Sequence, residues 1–177
     1  ICKKYDIQLL VDEAHAIGIL GPGGKGLSFN FSKNITMITG TFGKAFGSGG
    51  AFIACNSTIG EHLIQTSGAF RYTTALAPVL AAGALKALQK IRTNKEWGND
   101  LLTSAQKWKG GILQNFSYPV KGDSHILSII VGQEEKAISL QDHLEKNGFL
   151  AIAIRPPTVP LGESRIRITI RKNLDFN

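Results

Sequence analysis

The segment LLVDEAHAIG, Leu9–Gly18, carries an apolar run straight into two acidic residues and a histidine. With Ile7 and Gln8 in front of it, IQLLVD (Ile7–Asp12) has the length and near-continuous hydrophobicity of a parallel strand buried on both faces. Asp12 then stands at a strand end, with Glu13, Ala14 and His15 behind it. Two kinds of chemistry place an acid there. Helicases use Asp-Glu-Ala-His to hold magnesium and water beside a nucleoside triphosphate. Other enzymes set the carboxylate against a bound organic cofactor.

The nucleotide reading requires a phosphate loop, Gly-x4-Gly-Lys-Ser/Thr. The glycine-rich ILGPGGKGLS (19–28) offers Gly24-Lys25, but Ile19 stands where the first glycine belongs and Gly26 where the hydroxyl belongs. The loop also follows the acidic strand instead of preceding it. Helicases further carry Ser-Ala-Thr after the next strand, and here that place holds Thr41-Phe42-Gly43-Lys44. The spacing argues against a helicase, although a phosphate loop upstream of Ile1 would escape this test.

That second strand, ITMITG (Ile35–Gly40), and a third, GAFIAC (Gly50–Cys55), enclose Lys44 among glycines. Surface lysines rarely keep such company. A turn at a strand end is where α/β sheets bind ligands. A lysine amine that sheds its charge in an apolar setting becomes a Schiff-base nucleophile. Pyridoxal 5'-phosphate (PLP) requires such a lysine, together with an acid that keeps its ring nitrogen protonated. Lys44 and Asp12 meet both requirements. Taken alone, Asp12 is equally a turn or helix-cap aspartate. His15, three residues on, reaches toward the same cofactor or serves as a structural histidine. His62, His125 and His143 fall in helix or strand patterns and read as structural. No Cys/His cluster has metal-ligand spacing.

The bulk composition fits this reading. Hydrophobic residues make up 43% of the 177, enough for a core, and a net charge of +7 favours an anionic partner such as a phosphate or coenzyme. The basic residues are scattered, which argues against nucleic acid. Cys2 and Cys55 form no framework and read as buried thiols in a reducing cytoplasm. No apolar run is long enough to span a bilayer.

Further along, Ser57 or Thr58 is expected to cap a helix running to about Thr66. APVLAAGALKALQKIR (Ala77–Arg92) reads as a strong helix with Pro78 in its first turn. TNKEWGND (Thr93–Asp100) breaks the pattern and suggests a domain boundary, giving domains 1–95 and 96–177. A helix is expected over Leu101–Gln114, then a strand over His125–Gly132 and an amphipathic helix over Glu134–Gly148 with a glycine stop. Strands Leu150–Arg155 and Arg165–Ile170 follow, separated by the proline-rich PPTVPLGES. The fold class is α/β, followed by a smaller α+β unit.

Four ordered motifs, VDEAHAIGILGPGGKG, TGTFGKAFGSGGAF, RYTTALAP and IRPPTVPLGESRIRITI, resemble the α-oxoamine synthases, a family of fold-type I PLP enzymes. The resemblance extends over essentially the whole chain. It implies the C-terminal part of the PLP-binding large domain, a mixed and mostly parallel sheet with helices, followed by a truncated small domain. It implies that Lys44 forms the Schiff base and moves the α-proton, that Asp12 pairs with the pyridine nitrogen, and that His15 bonds the phenolic oxygen. Thr41 would hold the phosphate. Thr74, or its neighbour Thr73, would reach the phosphate of a partner subunit's cofactor in a homodimer. Arg155, ahead of Pro156-Pro157, would grip the amino-acid carboxylate. AIRPPTVPLGESRIRI is closest to the biotin-pathway branch, which condenses L-alanine with pimeloyl-CoA or pimeloyl-acyl carrier protein. Other branches take glycine with acetyl-CoA, or serine with a long acyl chain.

The chain opens on Ile1 without an initiator Met, and its closing RKNLDFN departs from the family's usual ending. Family members are about twice as long. The chain therefore reads as a piece of a longer enzyme, inactive alone and prone to aggregate at an exposed sheet edge. A non-catalytic remnant acting as a binding module is the reading of a different class.

Overall fold

The structure is a computed structural model and describes residues 1–172; residues 173–177, most of the aberrant ending, lie outside the described residues. Two compact units divide the chain, Ile1–Asn99 and Asp100–Asn177. Each is described by itself.

In the first unit β1 (Leu10–Asp12) pairs in parallel with β2 (Met37–Thr41), which pairs antiparallel with β3 (Ala51–Cys55). The sheet is mixed, in the order β1-β2-β3. A parallel pair needs a crossover of a dozen or more residues. Here it contains no α-helix, only the glycine-rich loop and two 3-10 turns, Pro22–Gly24 and Phe29–Asn34. The antiparallel step needs only a hairpin, and residues 42–50 form it. α1 (Ser57–Thr66), the one-turn α2 (Gly68–Arg71) and α3 (Pro78–Thr93) follow.

Three expectations change here. β1 is shorter than IQLLVD and is not buried on both faces: Ile7 is 55% and Leu10 52% exposed. An apolar run reports strand character, not the strand's place in the sheet, and β1 is an edge among the described strands. The cap of α1 is Asn56, whose Oδ1 accepts the Ile59 N–H at 2.9 Å, one residue ahead of the expected Ser57 or Thr58. Cys2 and Cys55 are free and only half-buried.

α4 (Trp97–Asn115) starts four residues before the expected Leu101, so the division at Asn99/Asp100 falls inside a helix. Gly98, within the segment read as a break, costs only about 1 kcal/mol in a helix, and the rest of the segment tolerates the helical backbone. In the second unit β4 (Val120–Lys121), β5 (Ile126–Gly132), β6 (Ile152–Ile154) and β7 (Ser164–Thr169) form an antiparallel sheet ordered β4-β5-β7-β6, and α5 (Glu134–Lys146) packs on β5, β6 and β7. The alternation of SRIRIT sets the faces: Ser164 and Ile166 are fully buried, whereas Arg165 and Arg167 are half-buried. Ile166 joins Leu127, Ile129, Ile170, Ala105, Ile112 and Ala151 in the core. His125 is buried just ahead of β5, and His62 and His143 sit exposed on α1 and α5.

Candidate active site

Parallel pairing of β1 and β2 fixes what lies at their shared C-terminal end. Asp12 is in register with Thr39, so Thr41 stands two residues further along and the hairpin loop carrying Lys44 springs from the same end of the sheet. Two strands separated by 24 residues of loop thus deliver an acid and an amine to one edge. This is the strand-end location at which α/β sheets bind ligands.

The Asp12 carboxylate is exposed, and its Oδ1 accepts the Ala14 N–H at 2.8 Å, a local Asx turn that fixes its rotamer. The chain then winds through Ala16 N–H and Ile17 N–H, both donating to the Glu13 carbonyl, and leaves His15 exposed on the turn.

The lysine loop is closed at its base by Phe42 N–H donating to the Gly50 carbonyl at 2.9 Å, and higher up by Ser48 N–H to the Phe42 carbonyl at 2.8 Å. Gly47 N–H reaches back to the Lys44 carbonyl at 3.0 Å. The Thr41 hydroxyl spans the base, donating to the Gly50 carbonyl and accepting from Gly43 N–H, both at 3.1 Å. Beneath the loop, Phe46 packs edge-on against Phe42, and Phe42 against Phe52. Lys44 itself is exposed on this turn. The expected apolar surround corresponds to the phenylalanines below the backbone, while the side chain stands outside them.

Thr73 and Thr74 are exposed in the segment between α2 and α3. The same segment touches the lysine hairpin two residues later: a Cβ added to Gly50 would stand 2.4 Å from Leu76 Cδ1. Arg155 belongs to the second unit. It follows β6, is exposed, and its carbonyl accepts the Thr158 N–H at 3.0 Å. The cluster at the strand ends therefore gathers Asp12, His15, Thr41 and Lys44, and Arg155 lies outside it in sequence and in unit. No group of three or more His, Cys, Asp or Glu suited to a metal occurs among the described residues.

Sequence reasoning passed over Glu13. It is 2% exposed, and its carboxylate receives two backbone donors, Ser28 N–H at 2.6 Å on Oε1 and Leu27 N–H at 3.1 Å on Oε2. Gly26, at φ +92°, leaves room for that carboxylate, because a Cβ there would lie 3.0 Å from it. The only trace in the sequence is a glycine needed at a left-handed position.

The mixed sheet with its helices and the antiparallel second unit define a fold class, and the comparisons agree on it. The chain belongs to the aminotransferase class I and II family, which it matches over residues 1–175. It is similar to 8-amino-7-oxononanoate synthase of Marinobacter nauticus, 36% identical over 174 residues, covering 96% of this chain and 44% of that protein. Among solved structures it resembles 8-amino-7-oxononanoate synthase of Francisella tularensis, with 31% identity, TM-score 0.81, and coverage of 95% and 50% of the two chains. It also resembles a serine palmitoyltransferase variant from S. paucimobilis with a bound PLP–myriocin aldimine, with 27% identity, TM-score 0.89, and coverage of 98% and 45%. The chain thus spans less than half the length of the curated relative.

Proposed function

We propose that this chain carries the cofactor-lysine part of a PLP-dependent acyltransferase that condenses L-alanine with pimeloyl-CoA or pimeloyl-acyl carrier protein. The product would be 8-amino-7-oxononanoate, on the route to biotin. The observation that carries this reading is the delivery of Asp12 and Lys44 to one end of the sheet by adjacent parallel strands. A carboxylate, an imidazole, a hydroxyl and a primary amine form a donor set suited to the ring nitrogen, phenolic oxygen, phosphate and aldehyde of PLP.

PLP, when bound, supplies an electron sink for charge developing at the amino acid's α-carbon. This chain's residues hold and direct it. Asp12 keeps a proton on the ring nitrogen, using the carboxylate oxygen that the Asx turn leaves available. His15 donates to the phenolic oxygen. The Lys44 amine would hold the cofactor at its aldehyde carbon and would move the α-proton. Thr41, at the loop base, would hold the phosphate, and Thr74 would reach toward a partner's cofactor in a homodimer. Arg155 grips the substrate carboxylate with two parallel hydrogen bonds. Residues 1–95 serve as part of the large domain and 96–177 as the small one. The reading places the protein in the cytoplasm, with neither nucleic acid nor membrane as partner. No helix among the described residues is long and apolar enough to cross a membrane.

The likeness to serine palmitoyltransferase supports a second reading, an α-oxoamine synthase with another amino acid and acyl donor. Incubating the full-length enzyme with PLP, reducing with borohydride and mapping the peptides tests the site. A pyridoxyl group concentrated on Lys44, and reduced in Asp12→Asn, is the expected result. Labelling spread evenly over exposed lysines overturns the reading. Alanine, glycine and serine, each offered with pimeloyl thioester to the full-length enzyme, then separate the substrates.

A further inference from the structure

We infer that Glu13 is a positioning residue for the Lys44 site, acting through the glycine-rich loop. The inference rests on the function proposed above and adds a residue that neither the motifs nor the cofactor chemistry assigned. Glu13 is the most buried charged side chain of its unit, and it lies between Asp12 and His15 without sharing their exposure. Its two carboxylate oxygens are spent on the backbone N–H groups of Leu27 and Ser28, fourteen and fifteen residues away. Its main chain is equally engaged: its N–H donates to the Thr39 carbonyl of β2 at 2.8 Å, and its carbonyl receives Ala16 and Ile17. One residue thus joins the end of β1, the next strand, the histidine turn and the far end of the loop.

The loop it closes then touches the lysine turn. Gly18 N–H donates to the Gly24 carbonyl at 2.7 Å and Gly26 N–H to the Leu20 carbonyl at 2.9 Å, so residues 18–26 form a tight ring. Gly18, at φ +86°, faces Ala45: a Cβ on Gly18 would stand 2.7 Å from the Ala45 Cβ. Ala45 is bonded to Lys44. The route from Glu13 to the lysine is therefore short: carboxylate, Leu27/Ser28, closed ring, Gly18, the Ala45 methyl, Lys44. Releasing the carboxylate frees the far end of the ring and with it the surface against which Ala45 rests.

Glu13→Gln keeps the shape but turns one acceptor into a donor that faces a backbone N–H. Amide hydrogen exchange is read first, without cofactor. The expected result is faster exchange at Leu27 and Ser28 together with Gly47 and Ser48 of the lysine turn. Exchange confined to Leu27 and Ser28 makes Glu13 merely structural and overturns the inference. With PLP, the concentration that half-labels Lys44 should rise about tenfold in Glu13→Gln, the size of effect expected from one unsatisfied buried donor. The pH midpoint of the visible absorption band should move as well. Gly18→Ala should produce the same shift, and the double variant should fall short of the sum of the two, because both act through one contact. Additive effects, or unchanged labelling, overturn the inference. Should Glu13→Gln not fold, Glu13→Asp takes its place, retaining the charge while shortening the reach. If the unaltered full-length enzyme shows no preference for Lys44, the functional reading fails first and the inference with it. If the unaltered full-length enzyme labels Lys44 and the variants behave identically to it, the inference alone fails.

Discussion

The Ser48 hydroxyl donates a 2.6 Å hydrogen bond to the Leu80 carbonyl, which ties the lysine loop to the first turn of α3. The attachment is close-fitting. Gly49 lies against Leu80, and a Cβ on Gly83 would stand 3.2 Å from the Ser48 Oγ. The loop carrying Lys44 is therefore fastened to a 16-residue helix on one side and rests on Gly18 through Ala45 on the other. Ser48→Ala removes one hydrogen bond, and the cost should be about 1 kcal/mol, as for a typical intramolecular bond. Urea unfolding measures the loss. Amide exchange at Gly47 and Ser48 should rise while the amides of β2 stay protected. A variant as protected in the loop as the parent would mean that Ser48 contributes nothing to holding it.

Gly40 and Phe52 face each other across the β2–β3 pair, and the phenylalanine ring occupies the space a side chain at 40 would need. A Cβ at Gly40 would lie 2.4 Å from Phe52 Cζ. Phe52 also touches Phe42, whose ring supports the lysine loop, so pressure at Gly40 passes to the loop. Gly40→Ala should cost about 1–3 kcal/mol by overpacking. Phe52→Leu in the same chain should recover part of it, because a smaller side chain vacates the contested volume. Thermal melts of the two single variants and the double decide this, and an additive double would show that the ring is not what excludes the methyl.

Much of this arrangement was legible in the sequence, and the failures have definite causes. Lys44 among glycines and Asp12 at an apolar strand end were visible because a strand announces itself locally and its end is marked by the change in residue type. The burial of β1 was misread because Ile7 and Leu10 declare their hydrophobicity but not which neighbours the sheet offers them. Asn56 was passed over for Ser57 because both residues make good caps, and only the helix's first hydrogen bond separates them. Glu13 left no trace beyond the glycine at 26. Its partners are backbone N–H groups, and every non-proline residue carries one. A polar clamp of this kind is invisible until the loop is seen folded.

The second unit offers a cleaner test of packing. Ile166 is completely buried on β7, between Ile129 of β5 and Ala153 of β6 in register. Ile166→Ala should lower stability by about 2–5 kcal/mol, the lost transfer energy plus the cavity left behind. Trp108 packs against the same core, so its fluorescence should report the shift in urea midpoint. Arg167→Ala, one residue away on the half-buried face, should have a much smaller effect. Equal losses at the two positions would contradict the assignment of faces.

Asp123 supplies a pH-dependent prediction. Lys109 donates to its Oδ1 at 2.8 Å and to the Gly122 carbonyl at 2.9 Å, so the ammonium bridges α4 and the turn after β4. The hydrogen bond and charge of Lys109 hold the Asp123 carboxyl below its usual range. A carboxyl whose folded pKa is depressed contributes stability above its unfolded pKa and loses that contribution as the pH falls through the folded value. Asp123→Asn should therefore melt slightly below the parent at neutral pH, and the two curves should converge in acid below the ordinary carboxylate range. The pair is fully open to solvent on the aspartate side, so the difference should be small and should shrink in high salt. A gap that persists unchanged into strong acid would assign the effect to the side-chain amide and not to the lost ion pair.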